Sequence, residues 1–493
     1  MLFNSFTFAF FFPFVVAVYF ATPHRWRWAV LLAASYYFYG SWRPEYLLLL
    51  MASTGVDYWA ALRMEDATTQ ARRKAWLGVS LAGNLGMLGY FKYVAFLTDS
   101  LRAGLAPLGI TLQDSPAFHP LLPVGISFYV FQTLAYSIDV YRGTIPAERH
   151  LGRFALYVAF FPQLVAGPIE RAGSLLPQFT EVKRFHGGRV VSGLTRMGWG
   201  FFQKCVIADR LAPFVNEVFA GGGAPQTAGA VLLASYFFYF QIYADFSGYT
   251  DIAIGSARVM GFGLAENFDR AYLSRTVSEQ WRRWHMTLMS WFRDYLMRPL
   301  GFSRPGRPKW MRNILIVFLV SGLWHGAAWT FAAWGLLNAI FVITGDSTRR
   351  RRDRAWERAA DALSGRWAGA GRLLLGARAA MQPLLVFNLM ALSLIFFRAP
   401  SIGRALEMFG TLFGSPGTLL SLRALPLPPY QLLVAGAAVG LFLLVDGWGR
   451  VHRWPERFAV QPRWVRWSLA YGVGLVVLMF GEFNLTEFFY FQF

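Results

Sequence analysis

A single cysteine, Cys205, in 493 residues rules out an intramolecular disulfide and a thiolate metal cluster. Cys205 follows Lys204 in an apolar stretch, which suits a buried small hydrophobe better than a reactive thiol. Charge is scarce too. Charged residues make up 15% of the chain, where soluble globular domains carry roughly 25%, and polar linkers between half-polar helices are almost missing. No H-x-x-x-H pair, G-x-S-x-G elbow or P-loop occurs, so zinc-protease, serine-hydrolase and nucleotide-hydrolysis chemistry have no support and no metal is expected. Residues Met1 to Phe20 lack a basic leader and a small-residue cleavage site, so they are expected to be a retained first span rather than a signal peptide.

What the chain does have is apolar: 55% hydrophobic and 18% aromatic residues, in stretches near the ~20 residues that span hydrocarbon. The expected fold class is therefore an all-α polytopic membrane protein, a single membrane domain over 1–493, with no internal repeat array. The formal charge of +20 comes from Lys and Arg in short clusters between apolar stretches. That placement follows the positive-inside bias and brings the clusters to anionic membrane lipid, at roughly 1 kcal/mol per residue near the surface. No nucleic-acid module accompanies them, and no nucleic-acid partner is expected.

The basic clusters alternate along the first five spans. His24-Arg25-Trp26-Arg27, then Arg63 to Lys74, then Arg142 to Arg153 fall at alternate ends. This puts the N-terminus outside, periplasmic in a bacterial inner membrane. The alternation breaks at Phe154 to Ile169, basic on both flanks and interrupted by Pro162 and Gly167-Pro168. A broken or re-entrant segment is expected there, enclosed by protein or a wet cavity. Later spans are expected near Val190–Ile207, Gly229–Ala244, Ile314–His325, Ala327–Ile343, Gln382–Phe397, Tyr430–Val445 and Val465–Phe480. Asp251 to Arg312 reads as partly interfacial. Arg349 to Arg378 reads as a basic cytoplasmic loop, with a catalytic core over about 121–345 and the loop over about 346–380.

Ionisable residues at membrane depth are costly and point to function. Five of the seven histidines, His24, His119, His150, His186 and His452, lie in loops or at interfaces. His325 instead ends a long apolar run in Gly322-Leu323-Trp324-His325-Gly326, where Gly322 and Gly326 share a helical face and allow close approach. Its imidazole is either a general base for a hydroxyl nucleophile or a core histidine satisfied within its helix. His285 lies in Ser278 to Tyr295, which reads as one helix N-capped by Ser278, with Trp281, His285, Leu288 and Phe292 on one face. Such a Trp- and Arg-rich helix is either interfacial or carries a site histidine. Asp245 and Asp251, in the polar run Gln241 to Asp251, either line a wet cavity or form a polar helix end. Either acid could orient a histidine or pair with Arg282 or Arg283.

Several long blocks in order give a family resemblance. They are Leu122-Pro123-Val124-Gly125-Ile126-Ser127-Phe128-Tyr129, Phe161 to Ile169, Asp245 to Ala253, Trp281-Arg282-Arg283-Trp284-His285, and Gly322-Leu323-Trp324-His325-Gly326, framed by Met1 to Ser5 and Tyr490 to Phe493. The chain resembles the membrane-bound O-acyltransferase family, in its bacterial alginate O-acetyltransferase branch. The resemblance implies roughly eleven transmembrane helices, each crossing in about 20 residues, with re-entrant segments around a central funnel. It implies that His325 is the catalytic histidine and His285 its companion; with His325 as general base, His285 or a nearby polar group is then expected to stabilise or orient the oxyanion. It also implies an acyl thioester, acetyl-CoA, as co-substrate without a resident cofactor, and periplasmic proteins that carry the acetyl group to a polymer. Trp281, Arg282, Arg283, Trp324 and Asn338 are the candidates for holding the donor. The branch often carries another histidine in the block after Trp334-Gly335, where this chain has Asn338. An amide cannot shuttle a proton, so no pathway through a third histidine is expected. D-alanyl transfer to a cell-envelope polymer, or transport of acyl groups or polymer, are the alternative readings.

Overall fold

The computed structural model describes residues 1–111, 119–221, 227–365, 367, 369–421, 428–447, 461–482 and 488–489. His452 and Tyr490 to Phe493 lie outside the described residues. Among the described residues every regular element is helical. The chain opens with α1 (Phe6–Ala21), α2 (Arg27–Gly40), α3 (Pro44–Glu65), α4 (Gln70–Leu88), α5 (Val94–Leu105) and α6 (Ile126–Arg142). There follow α7 (Leu151–Ala159), α8 (Gly187–Phe201), α9 (Asp209–Ala220) and α10 (Ala228–Met260). Two short helices come next, α11 (Val277–Arg283) and α12 (Met286–Trp291). The remainder is α13 (Pro308–His325), α14 (Trp329–Ser364), α15 (Ala370–Arg398), α16 (Ile402–Gly414), α17 (Pro429–Gly447) and α18 (Arg463–Phe480).

Helix starts follow local chemistry. Ser5 and Thr69 accept a backbone N–H at the heads of α1 and α4, and the imidazoles of His150 and His186 do the same for α7 and α8. On α1, Phe6, Phe10 and Phe14 recur at helical spacing and are 84%, 78% and 68% exposed. In water such a stripe would be an aggregation patch; facing hydrocarbon it is at home. α15 and α17 are long and apolar enough to cross a membrane.

The described chain forms two compact units. One contains Met1–Cys205, Phe246–Glu266 and Val451–Phe493, and the other Val206–Asp245 and Asn267–Arg450. In the first, polar side chains join neighbouring helices by direct hydrogen bonds. Asp57 on α3 accepts from Ser80 Oγ at 2.5 Å and from Asn84 Nδ2 at 2.8 and 2.9 Å on α4. Asn84 Oδ1 accepts from Ser53 and from Thr133 of α6, at 3.1 and 3.0 Å. Such pairing satisfies groups that hydrocarbon would strand.

α8 crosses the end of α10 on paired glycines. A Cβ on Gly193 would lie 2.6 Å from the Gly255 carbonyl oxygen, and one on Gly200 2.6 Å from that of Gly248. Between them, Arg196 reaches Asp251 at 2.8 Å and Glu266 at 2.7 and 2.5 Å, while Gln203 donates to Asp251 at 2.8 Å. A buried guanidinium is tolerable only with such complete pairing. Cys205 is buried, as expected, and its carbonyl accepts from Glu482 N at 3.0 Å.

The expected break after Phe154 is present. α7 ends at Ala159, and Phe160 to Glu170 runs without a regular helix, every residue buried. Protein groups satisfy it: Phe161 N donates to Ser35 Oγ at 3.0 Å, Gln163 Nε2 to the Tyr157 carbonyl at 3.1 Å, and Tyr157 Oη to the Glu170 carbonyl at 3.0 Å.

Three expectations are corrected. The helix expected to stop near Ala244 continues to Met260, because Phe246 to Val259 holds no proline and its polar Asp251 is paired by Arg196 and Gln203. The stretch expected to be a loop, Arg349 to Arg378, is mostly helical. α14 runs on to Ser364 and α15 starts at Ala370, since Arg, Ala and Glu are strong helix formers. The two arms touch where Arg378 pairs with Asp353 and stacks over Trp356 at 5.6 Å, and where Gly371 meets Ala360. Finally, Ser278 to Tyr295 is not one helix. It is cut at His285, and Thr276, not Ser278, caps α11 by accepting Glu279 N at 3.0 Å. Ser278 instead donates to Asp346 at 2.7 Å.

Candidate active site

His325 is the last residue of α13, and Gly326 to Ala328 turn the chain into α14. Glycine makes this hairpin possible. A Cβ on Gly322 would sit 2.3 Å from the Phe331 carbonyl oxygen, and one on Gly335 would sit 2.3 Å from that of Phe318. The backbones therefore touch without intervening side chains. Their contact brings together Trp324 and Trp334, two of the three aromatic rings that flank the imidazole. The His325 ring centroid lies 5.0 Å from Trp324, 5.3 Å from Trp334 and 5.4 Å from Phe397 of α15, and only 4% of the residue is exposed. His325 thus stands at the C-terminal end of α13, the end of a helix dipole that favours positive charge.

His285 lies between α11 and α12 with φ 45° and ψ 53°, a left-handed conformation uncommon for residues other than glycine. Its ring centroid is 5.9 Å from that of Trp324, which also lies 5.0 Å from the His325 ring, so one indole packs against both imidazoles. Local bonds hold the bend. Asn267 O accepts Met286 N at 2.9 Å, and Asn267 Oδ1 accepts Thr287 N at 3.1 Å and Thr287 Oγ1 at 2.9 Å. Strain of this kind concentrates at functional sites.

Of the other candidates, Trp281 packs 5.6 Å from Trp334 and 5.5 Å from Phe318. Asn338 is fully buried on α14. Its Nδ2 donates to the Trp334 carbonyl at 2.9 Å and to Ser393 of α15 at 3.4 Å. The indole N–H groups of Trp281 and Trp334, and Asn338 Oδ1, are buried with no hydrogen-bond partner among the described residues. Groups of that kind are costly unless a ligand completes them. His325, His285, Trp324, Trp281 and Asn338 thus fall in one compact unit.

Arg282 does not join them. It is exposed, and Arg283 pairs with Glu279 at 2.6 Å, a one-turn ion pair. Asp251 neither orients a histidine nor pairs with Arg282 or Arg283, because Arg196 and Gln203 take its carboxylate. Asp245 is buried on α10. Sequence reading missed Asn267 and Trp334. Asn267 sits in the plain polar stretch Glu266 to Asp269, and its role arises from a chain fold that spacing does not encode. Trp334 could have been found as the bulky neighbour of Gly335.

The model of the membrane-bound O-acyltransferase family matches residues 145–367, which include both histidines. The chain is 39% identical to the probable alginate O-acetylase AlgI of Azotobacter vinelandii over 84% of its own length and 78% of that protein. It is 35% identical to the probable alginate O-acetylase AlgI of Pseudomonas putida over the whole of both chains. A peptidoglycan O-acetyltransferase of Helicobacter pylori is 32% identical over 81% of this chain and 75% of its own. With relatives of this identity along most of its length, the chain belongs to the membrane-bound O-acyltransferase family.

Proposed function

We propose that this membrane O-acyltransferase transfers an acetyl group from acetyl-CoA on the cytoplasmic side to a hydroxyl acceptor, in the acetylation of an alginate-like exopolysaccharide. The observation that carries the reading is His325, buried at a helix end against Trp334 and linked through Trp324 to His285. The hydroxyl gives its proton to His325 while its oxygen bonds to the thioester carbonyl carbon. The C–S bond then breaks, and the proton passes from the imidazolium to the departing thiolate. One ester and one thiol form for each thioester consumed. The uncommitted indole N–H groups of Trp281 and Trp334 are suited to the oxyanion, usually the largest electrostatic demand of such a step.

The similarity to alginate O-acetylases over most of the chain supports an exopolysaccharide as the destination, and the peptidoglycan O-acetyltransferase supports acetyl as the group moved. In this reading roughly eleven helices cross the inner membrane, each in about 20 residues, around a funnel that leads to His325. The N-terminus is periplasmic, and the basic arms from Asp346 to Arg378 are cytoplasmic, where their arginines meet anionic lipid and the donor's phosphates. Periplasmic acetyl-carrying proteins take the group onward.

Purified protein in lipid nanodiscs, given acetyl-CoA and a hydroxyl-rich oligosaccharide, is expected to release free thiol and ester-linked acetate in equal amounts. Thiol release from a D-alanyl thioester but not from acetyl-CoA would overturn the acetyl assignment.

A further inference from the structure

The Asn267 side chain does more than close a loop. Its amide orientation is set by a group that can only donate: the backbone N–H of Thr287 points at Oδ1 from 3.1 Å. Turning the amide over would bring its NH₂ against that N–H, donor to donor. His285 Nδ1 faces the same oxygen at 3.1 Å. A ring nitrogen beside a carbonyl oxygen forms a hydrogen bond only if it carries the proton. Asn267 and His285 are 0% and 1% exposed, so water does not compete for these bonds.

We infer that Asn267 is a positioning residue that fixes neutral His285 as the Nδ1–H tautomer, leaving Nε2 as a hydrogen-bond acceptor. The assignment of one ring nitrogen by the bond the other makes is general for imidazoles. Its consequence for the reaction rests on the acyl-transfer reading above. An acceptor nitrogen cannot donate to an oxyanion. His285 therefore orients the incoming hydroxyl by receiving its O–H, and the oxyanion falls to the indole N–H groups. The left-handed backbone at His285 serves the same end, because it brings Nδ1 and Thr287 N to a single oxygen.

The direct test is the nitrogen-15 spectrum of histidine-labelled full-length protein in lipid, with His285→Gln to assign the signal. The expected result is a neutral ring protonated at Nδ1; a ring protonated at Nε2 overturns the proposal. Because it needs no turnover, this measurement stands even if the acyl-transfer reading fails. Kinetics supply the second arm. Asn267→Leu should lower kcat on the order of 10- to 100-fold, by analogy with the loss of the partner that orients a metal-bound histidine, with KM for the thioester little changed. Asn267→Asp, which still accepts both bonds, should restore most of the rate. Equal losses in the two variants, or unchanged kcat in Asn267→Leu, would also overturn it. Where Asn267→Leu fails to fold, the spectrum and Asn267→Asp decide.

Discussion

Replacing His325 with alanine is expected to lower acetyl transfer at least about 10²- to 10⁴-fold, the range a positioned general base contributes, while the protein still accumulates in the membrane. The variant also removes a ring packed against Trp324, Trp334 and Phe397, so alanine alone would confuse lost chemistry with a cavity. His325→Gln separates the two. Glutamine fills similar space and still forms hydrogen bonds, but it cannot take up a proton at neutral pH. Both variants should therefore be inactive, and His325→Gln should unfold near the wild-type temperature. An active His325→Gln enzyme would leave His325 a satisfied core histidine, the reading that sequence chemistry alone kept open.

Replacing Gly335 with valine is expected to remove activity without touching either histidine. The first added carbon would lie 2.3 Å from the Phe318 carbonyl oxygen and 3.4 Å from Gly322 Cα, so α13 and α14 must move apart. Overpacking a core usually costs about 1–3 kcal/mol, and here the obstacle is backbone, which yields less easily than a side chain. The movement separates His325, on the end of α13, from Trp334, which neighbours the substituted residue on α14. Gly345→Val on the same helix is the control, because an added Cβ there meets nothing within 4 Å. Thermal unfolding and acetyl transfer should both fall for Gly335→Val and stay near wild type for Gly345→Val. Matching behaviour in the two variants would mean that helix contact does not set the site.

Much of the helical layout was legible because its signals are local. Apolar runs bounded by Pro and basic residues placed α17 and α18 to within a few residues, and Pro162 with Gly167-Pro168 placed the break after α7. His325 was legible for the same reason, as a polar residue ending an apolar run between glycines. The failures share one cause. A cut at His285 depends on bonds from Asn267, which is 18 residues away in sequence, and periodicity alone read straight through it. Asp251 was grouped with the histidines because it lies near Asp245 in sequence, yet Arg196, which is 55 residues away, holds it. Arg349 to Arg378, in α14 and α15, reads as a loop only when charge density outweighs helix propensity.

The proposed activity of this membrane protein is esterification of an exported polymer through His325. It is tested most directly by the ester-linked acetate content, measured by mass spectrometry, of exopolysaccharide from a strain lacking the gene. The polymer should lose its acetyl groups, regain them with the wild-type gene, and stay bare with His325→Gln present at wild-type levels in the membrane. Full acetylation in the deletion strain, or restoration by His325→Gln, would contradict the account.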